Sequence, residues 1–119
     1  MKMICTLLAA AGIAVLAAAP ASSVTPRLVG TVGPGFTISL KKNGKAVKTL
    51  KAGTYTLVVS DKSSIHDFQV EEKGRGLDRA ITTVPFTGTK TVTLALKRGK
   101  LKFYCAPHES SMFGFVTVT

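Results

Sequence analysis

Apolar and polar residues alternate with period two along most of this chain. Residues 36–40 (FTISL), 54–60 within AGTYTLVVSD, 65–70 (IHDFQV) and 89–96 (TKTVTLAL) each turn every second side chain to one face, the pattern of half-buried β-strands. Within IHDFQV, His66, Phe68 and Val70 share the core-side parity, and Ile65, Asp67 and Gln69 share the other. Residues 46–50 (AVKTL), 101–105 (LKFYC) and 113–119 (FGFVTVT) read as further strands. Asn43-Gly44 is a strong hairpin signal, Gly53 opens a turn, and KRGK (97–100) turns one strand into the next. Residues 71–79 (EEKGRGLDR) read as a loop, and residues 84–86 (VPF) as an extended segment with Pro85 at an edge or an end. Helical periodicity is hard to find after Ala21, and no repeat or low-complexity tract interrupts the pattern. Seven to eight short strands with regular turn signals predict a single all-β domain, an antiparallel Greek-key β-sandwich or barrel.

The first residues break this pattern and need their own reading. Met1-Lys2-Met3 gives a short positive start, residues 4–19 form an uncharged apolar run, and Ala19-Pro20-Ala21 offers an A-x-A cleavage site. This predicts a secretory signal over residues 1–21, too short for a membrane span of roughly 20 apolar residues. An uncleaved anchor fits less well, because the Ala-rich run lacks an aromatic or basic flank. Cys5 opens the run and does not follow a small-residue site, so it is not read as a lipid-attachment cysteine. The domain is then 22–119, 98 residues of the 119, and its compartment is exported, periplasmic or otherwise extracytoplasmic.

Removing the signal changes the inventory. One cysteine (Cys105), two histidines (His66 and His108) and one methionine (Met112) remain. No disulfide can form within such a chain, and a free thiol is a liability in an oxidising compartment. Metal ligation accounts for it, as does deep burial. Without Lys2 the domain carries 15 Lys and Arg against 6 Asp and Glu, a net of +9. Export, the lack of a recognition-helix pattern and the lack of aromatics interleaved with the basic residues argue against nucleic acid. An acidic protein partner or weak association with an anionic membrane surface suits the charge better. A plainer role stands beside these, with lysines keeping strand faces soluble and edges unpaired.

CAPHESSM (105–112) puts a thiol, an imidazole and a thioether within eight residues, and His66 lies about forty residues upstream. Taken singly, each has an ordinary explanation as a buried thiol, a strand histidine, a loop histidine or a core methionine. Together they are the domain's whole stock of Cys, His and Met. Two imidazoles and a thiolate form the trigonal set of a mononuclear copper site, with a thioether as weak axial ligand. Zinc spacings and the carboxylate clusters of hard-cation sites are not found.

Residues 53–119 resemble the cupredoxin family, the plastocyanin, pseudoazurin and amicyanin group. SIHDF around His66 is similar to that family's first-histidine neighbourhood, and FYCAPHESSM to its closing Cys-x-x-His…Met loop. The resemblance implies one type 1 copper held by His66, Cys105, His108 and Met112, and a one-electron carrier cycling Cu(I)/Cu(II). Two departures stand out. The three residues between His108 and Met112 make a loop between the plastocyanin and amicyanin lengths. The family often pairs an Asn after the first histidine with a Ser or Thr after the cysteine, and here Asp67 and Ala106 occupy those positions. The bridging contact is therefore expected to differ or be absent.

The rival to a carrier is a module that delivers, buffers or senses copper with the same four ligands. An enzyme is not expected. No Ser-His-Asp set is apparent, a Cys105–His108 pair lacks an orienting partner, and two histidines cannot supply a multicopper oxidase. Residues 106–112 contain no second cysteine for a binuclear copper site. A monomer meeting an acidic redox protein is the expected working form.

Overall fold

In this computed structural model the described residues are Gly12, residues 24–74 and residues 77–119. The signal read at 1–21 lies outside them apart from Gly12, as does Arg75. Ten strands occur among the described residues, and they run in chain order as β1 (Arg27–Val32), β2 (Ile38–Lys42), β3 (Lys45–Ala46), β4 (Thr49–Leu50), β5 (Gly53–Asp61), β6 (Phe68–Glu72), β7 (Leu77–Thr82), β8 (Gly88–Leu96), β9 (Gly99–Tyr104) and β10 (Phe113–Val118). They form two five-stranded sheets, ordered β3-β2-β1-β5-β8 and β4-β10-β9-β6-β7. Inward side chains of both sheets meet in one core, so the all-β sandwich of a single domain holds.

The period-two pattern works as expected where one face is buried. In β5, Tyr55, Leu57 and Val59 point inward and alternate with half-exposed neighbours. Leu28 and Val32 of β1, Val70 of β6, Leu101 of β9 and Val116 and Val118 of β10 close the core from the remaining strands. Each such side chain contributes about 1.5–3 kcal/mol when taken fully out of water. Asn43 and Gly44 adopt φ of 51° and 76°, the left-handed pair that joins two twisted strands in a tight hairpin.

Three local expectations are corrected, and one strand is added. Residues 46–50 are two short strands rather than one, with β3 in the first sheet and β4 in the second, so this segment crosses the sandwich. Of the loop expected over 71–79, residues 71–72 belong to β6 and 77–79 to β7, while Lys73 and Gly74 do turn. β7 is an edge strand with only Ile81 and Thr82 buried, which leaves no alternation to read. Residues 84–85 form a turn in place of an extended run, with the Phe86 N–H donating to the Thr83 carbonyl at 2.8 Å. β1 carries no reading as a strand in the sequence, yet it pairs parallel with β5, and β10 pairs parallel with β4. Each otherwise antiparallel sheet therefore contains one parallel pair.

Candidate metal centre

β9 delivers Cys105 at its end, and β10 begins one residue past Met112. The eight residues between strands fold into a closed loop. Ala106–His108 make a 3-10 turn with Pro107 in its first positions, where a missing N–H costs nothing. Cys105 N–H donates to the Met112 carbonyl at 3.0 Å, and Met112 N–H donates to the His108 carbonyl at 2.9 Å. Cys105 and Met112 are both buried, at 0% and 1% exposure, while His108 is half-buried.

His66 arrives from the link between β5 and β6. Asp61 ends β5 facing inward, and its Oδ1 accepts the Ser63 N–H at 3.1 Å; the Ser63 carbonyl then accepts the His66 N–H at 3.3 Å. The strand expected over 65–70 begins only at Phe68. His66, Asp67 and Phe68 are buried consecutively, which a turn allows and a regular strand does not. His66 is nonetheless inside, at 0% exposure, as its parity with Phe68 and Val70 predicts.

Three donor atoms converge. His66 Nδ1 lies 3.1 Å from His108 Nδ1, and Cys105 Sγ lies 3.8 Å and 3.6 Å from them. The point equidistant from all three is about 2 Å from each. Metal–nitrogen bonds are ~2.0–2.1 Å and metal–sulfur bonds ~2.3 Å, so one ion fits this triangle with little movement of the sulfur. His66 Nε2 is 3.0 Å from the Gly35 carbonyl. As the N–H donor there, it leaves the Nδ1 lone pair of neutral His66 aimed at the triangle. Burial pushes the Cys105 thiol above its ordinary pKa, while the backbone N–H groups of Asp67 and His108 pull it back down. A cation in the triangle would supply what burial withholds, stabilisation of the thiolate.

The bridge between the two ligand segments differs from the Asn pairing, as expected, and it is present. Asp67 Oδ1 accepts the Ala106 backbone N–H at 2.7 Å, so no Ser or Thr side chain is needed after the cysteine. Asp67 Oδ2 accepts from Gln69 Nε2 at 2.8 Å, and the Asp67 N–H points to Cys105 Sγ at 3.5 Å. Gln69 Oε1 lies 3.2 Å from the Tyr104 hydroxyl, which donates to Asp78 Oδ1 at 2.9 Å. Asp67→Ala should therefore strand the Ala106 N–H and cost about 2 kcal/mol, the scale of a lost hydrogen bond to a charged acceptor. Chemical denaturation of the metal-free forms would measure it. Asp67→Asn keeps an acceptor and should recover most of the loss, whereas an equal loss in both variants would show that the bridge is not the cause.

Phe36 is a neighbour that the sequence pattern concealed. The alternation of residues 36–40 makes it the first residue of a strand, but β2 starts at Ile38 and Phe36 lies in the preceding bend. Its ring packs edge-on against His66 and His108, with centroids 5.2 and 5.0 Å away, while 62% of the residue stays exposed. The Gly-Pro-Gly ahead of it, residues 33–35, is the available signal that a bend and not a strand begins there. Phe113, the first residue of β10, packs edge-on against Phe115.

No protein-family model and no curated protein matches the chain. Solved structures do. Rusticyanin from Thiobacillus ferrooxidans at 1.27 Å superposes with a TM-score of 0.55 and 23% identity, over 80% of this chain and 77% of that one. A 2.1 Å structure of the copper protein rusticyanin gives 0.57 and 21%, over 80% and 78%, and reduced rusticyanin at 1.9 Å gives 0.54 and 22%, over 80% and 79%. Rusticyanin is a cupredoxin. With two five-stranded sheets and a His-Cys-His cluster at the end where β9 and β10 are joined, the chain has the cupredoxin fold.

Proposed function

We propose that this chain is an exported type 1 copper protein that carries single electrons between redox partners. The observation that supports this most directly is the convergence of His66 Nδ1, Cys105 Sγ and His108 Nδ1, all within 4.8 Å of one another. These three, joined by the Met112 thioether from the same loop, would hold the copper. Bound copper supplies a one-electron couple. The chain's own residues do the rest. Gly35 and the Asp67 N–H pin His66 and Cys105, so the donors need little rearrangement between oxidation states. Burial of Cys105 and Met112 keeps water from the sulfur atoms. His108, half-buried with Nδ1 turned inward, offers its outer ring edge as the contact with a partner. Copper delivery or buffering would use the same donors, but a pinned, mostly buried triangle suits retention better than release.

The test is metal analysis with a visible spectrum of residues 22–119. One copper per chain, an intense visible band when oxidised, and repeated reduction and reoxidation without loss of metal would support the reading. A colourless oxidised protein, or copper lost on each cycle, would overturn it. Met112→Leu should keep the copper and the band and raise the potential, because removing an axial donor favours Cu(I). An unchanged potential by voltammetry would remove Met112 from the ligand set.

The partner is proposed to be an acidic redox protein, on the ground of the +9 domain. Electron-transfer rates with an acidic protein should fall as salt rises and those with a basic one should rise, because steering acts over a Debye length of ~8 Å at physiological ionic strength. Rates independent of salt with both would leave the charge a role in solubility alone.

A further inference from the structure

The strands run pole to pole, and charge is not shared evenly between the poles. β5 spans nine residues, about 26 Å at ~3.3 Å per residue, from Gly53 to Asp61. The His66 segment follows its Asp61 end. At the Gly53 end lies an open cleft of about 950 Å³, walled by the β2–β3 hairpin and by the crossing segment that contains β4. Lys42, Lys45, Lys48 and Lys51 all line it, and no acidic residue does. The sequence holds no Asp or Glu before Asp61, so this whole part of the chain is uncompensated. Lys97 and Arg98, in the turn between β8 and β9, lie at the same pole, since Leu96 pairs with Gly53. Among the described residues the one ion pair is Lys102 with Glu109, which involves none of these six cations, although buried Glu72 accepts the Lys97 backbone N–H at this pole at 3.0 Å.

The lining also says which anion fits. Single-stranded nucleic acid is held by exposed aromatic rings that stack its bases, and protein interfaces centre on aromatic and Arg anchors with Lys depleted. The exposed large apolar residues are Val24, Val29, Phe36, Ile65, Val84, Phe113 and Phe115, and none of them lines the cleft. Tyr55 and Leu50 in its lining are buried and Val47 is half-buried, so the cleft presents flexible ammonium groups over an apolar floor, with no exposed aromatic or Arg anchor. That is the chemistry of adsorption to a diffuse layer of phosphate headgroups, where clustered lysines add up over a Debye length. We propose that the basic cleft at the pole away from the copper triangle binds an anionic phospholipid surface electrostatically, without insertion, and so holds the domain with His108 directed away from the membrane. The cleft does not depend on the copper reading, and its test does not use electron transfer.

The experiment is co-sedimentation of copper-loaded residues 22–119, which contain every described strand, with vesicles of phosphatidylglycerol and phosphatidylcholine or of phosphatidylcholine alone. Binding should require the anionic lipid and fall steeply with added salt. Replacing Lys42, Lys45, Lys48 and Lys51 by Gln should weaken it on the order of a thousandfold. Replacing Lys62, Arg79 and Lys90, none of which lines the cleft or its pole, by Gln removes three charges elsewhere and should weaken it far less per charge. Equal losses per charge in the two variants would reduce the effect to net charge and overturn the site. In the unsubstituted chain, anionic vesicles should protect the cleft lysines from acetylation and leave Lys62 and Lys90 reactive, so the assignment survives a variant that fails to fold. Inorganic polyphosphate provides the last arm, and protection by polyphosphate without binding to vesicles would overturn the lipid as occupant.

Discussion

Cys105→Ser is expected to erase the intense visible band completely and to weaken copper binding by more than the ~10–100-fold typical of changes around a metal's ligands. Only the thiolate can supply strong charge transfer to Cu(II), and the chain has no second cysteine among residues 22–119 to replace it. The substitution is small. The sulfur is buried at 0% exposure, its partner the Asp67 N–H can still donate to a hydroxyl, and no disulfide is lost because Cys105 is free. Far-ultraviolet circular dichroism should therefore be unchanged while absorption titration with Cu(II) shows no band. A Cys105→Ser protein that stays intensely coloured would remove the thiolate from the site. The same logic sets the pH dependence. Burial raises the thiol pKa, so loading at neutral pH must release its proton. Apparent affinity should climb about tenfold per pH unit below that pKa, with the steepness read from competition against a chelator at fixed copper.

The donors of this site were legible because their chemistry is scarce. Four residues out of 98 could bind a soft metal, and three of them meet. Fold class was legible for a related reason, since Tyr55, Leu57 and Val59 must all face one core and no other period satisfies them. What the sequence withheld depends on partners distant in the chain. Nothing local to Arg27–Val32 reveals that it lies beside β5, as that pairing is made by backbone groups across 29 residues. Asp67 looked like a defect in the Asn pattern until its acceptor role toward the Ala106 backbone was visible, and a backbone N–H leaves no mark in a sequence. Phe36 was misread because an apolar residue two before Ile38 fits a strand as well as it fits a ring laid on two imidazoles.

Phe68→Ala should be the most destabilising single change in the domain, costing about 3–5 kcal/mol of a total that is ~5–15 kcal/mol for proteins of this kind. Phe68 opens β6 at 0% exposure, stacks on Phe103 with centroids 6.1 Å apart and planes 5° from parallel, and gives its N–H to Thr82 Oγ1 at 2.9 Å. Its ring reaches across to β1, where a Cβ on Gly30 would come within 2.7 Å of it. That contact fixes the start of β6, and His66 is only two residues before it. The loss should appear as a lower denaturant midpoint with an unchanged slope, and excess copper should restore part of it by binding the folded state alone. Gly30→Ala attacks the same contact from the other side, and overpacking should cost about 1–3 kcal/mol. The two changes should not add. The three atoms nearest a Gly30 methyl group all belong to that ring, so with the ring gone the double variant should be more stable than the sum of the single losses predicts, by at least ~0.5 kcal/mol. Additive losses in that cycle would show that the two residues do not press on each other, and Gly30 would need another explanation.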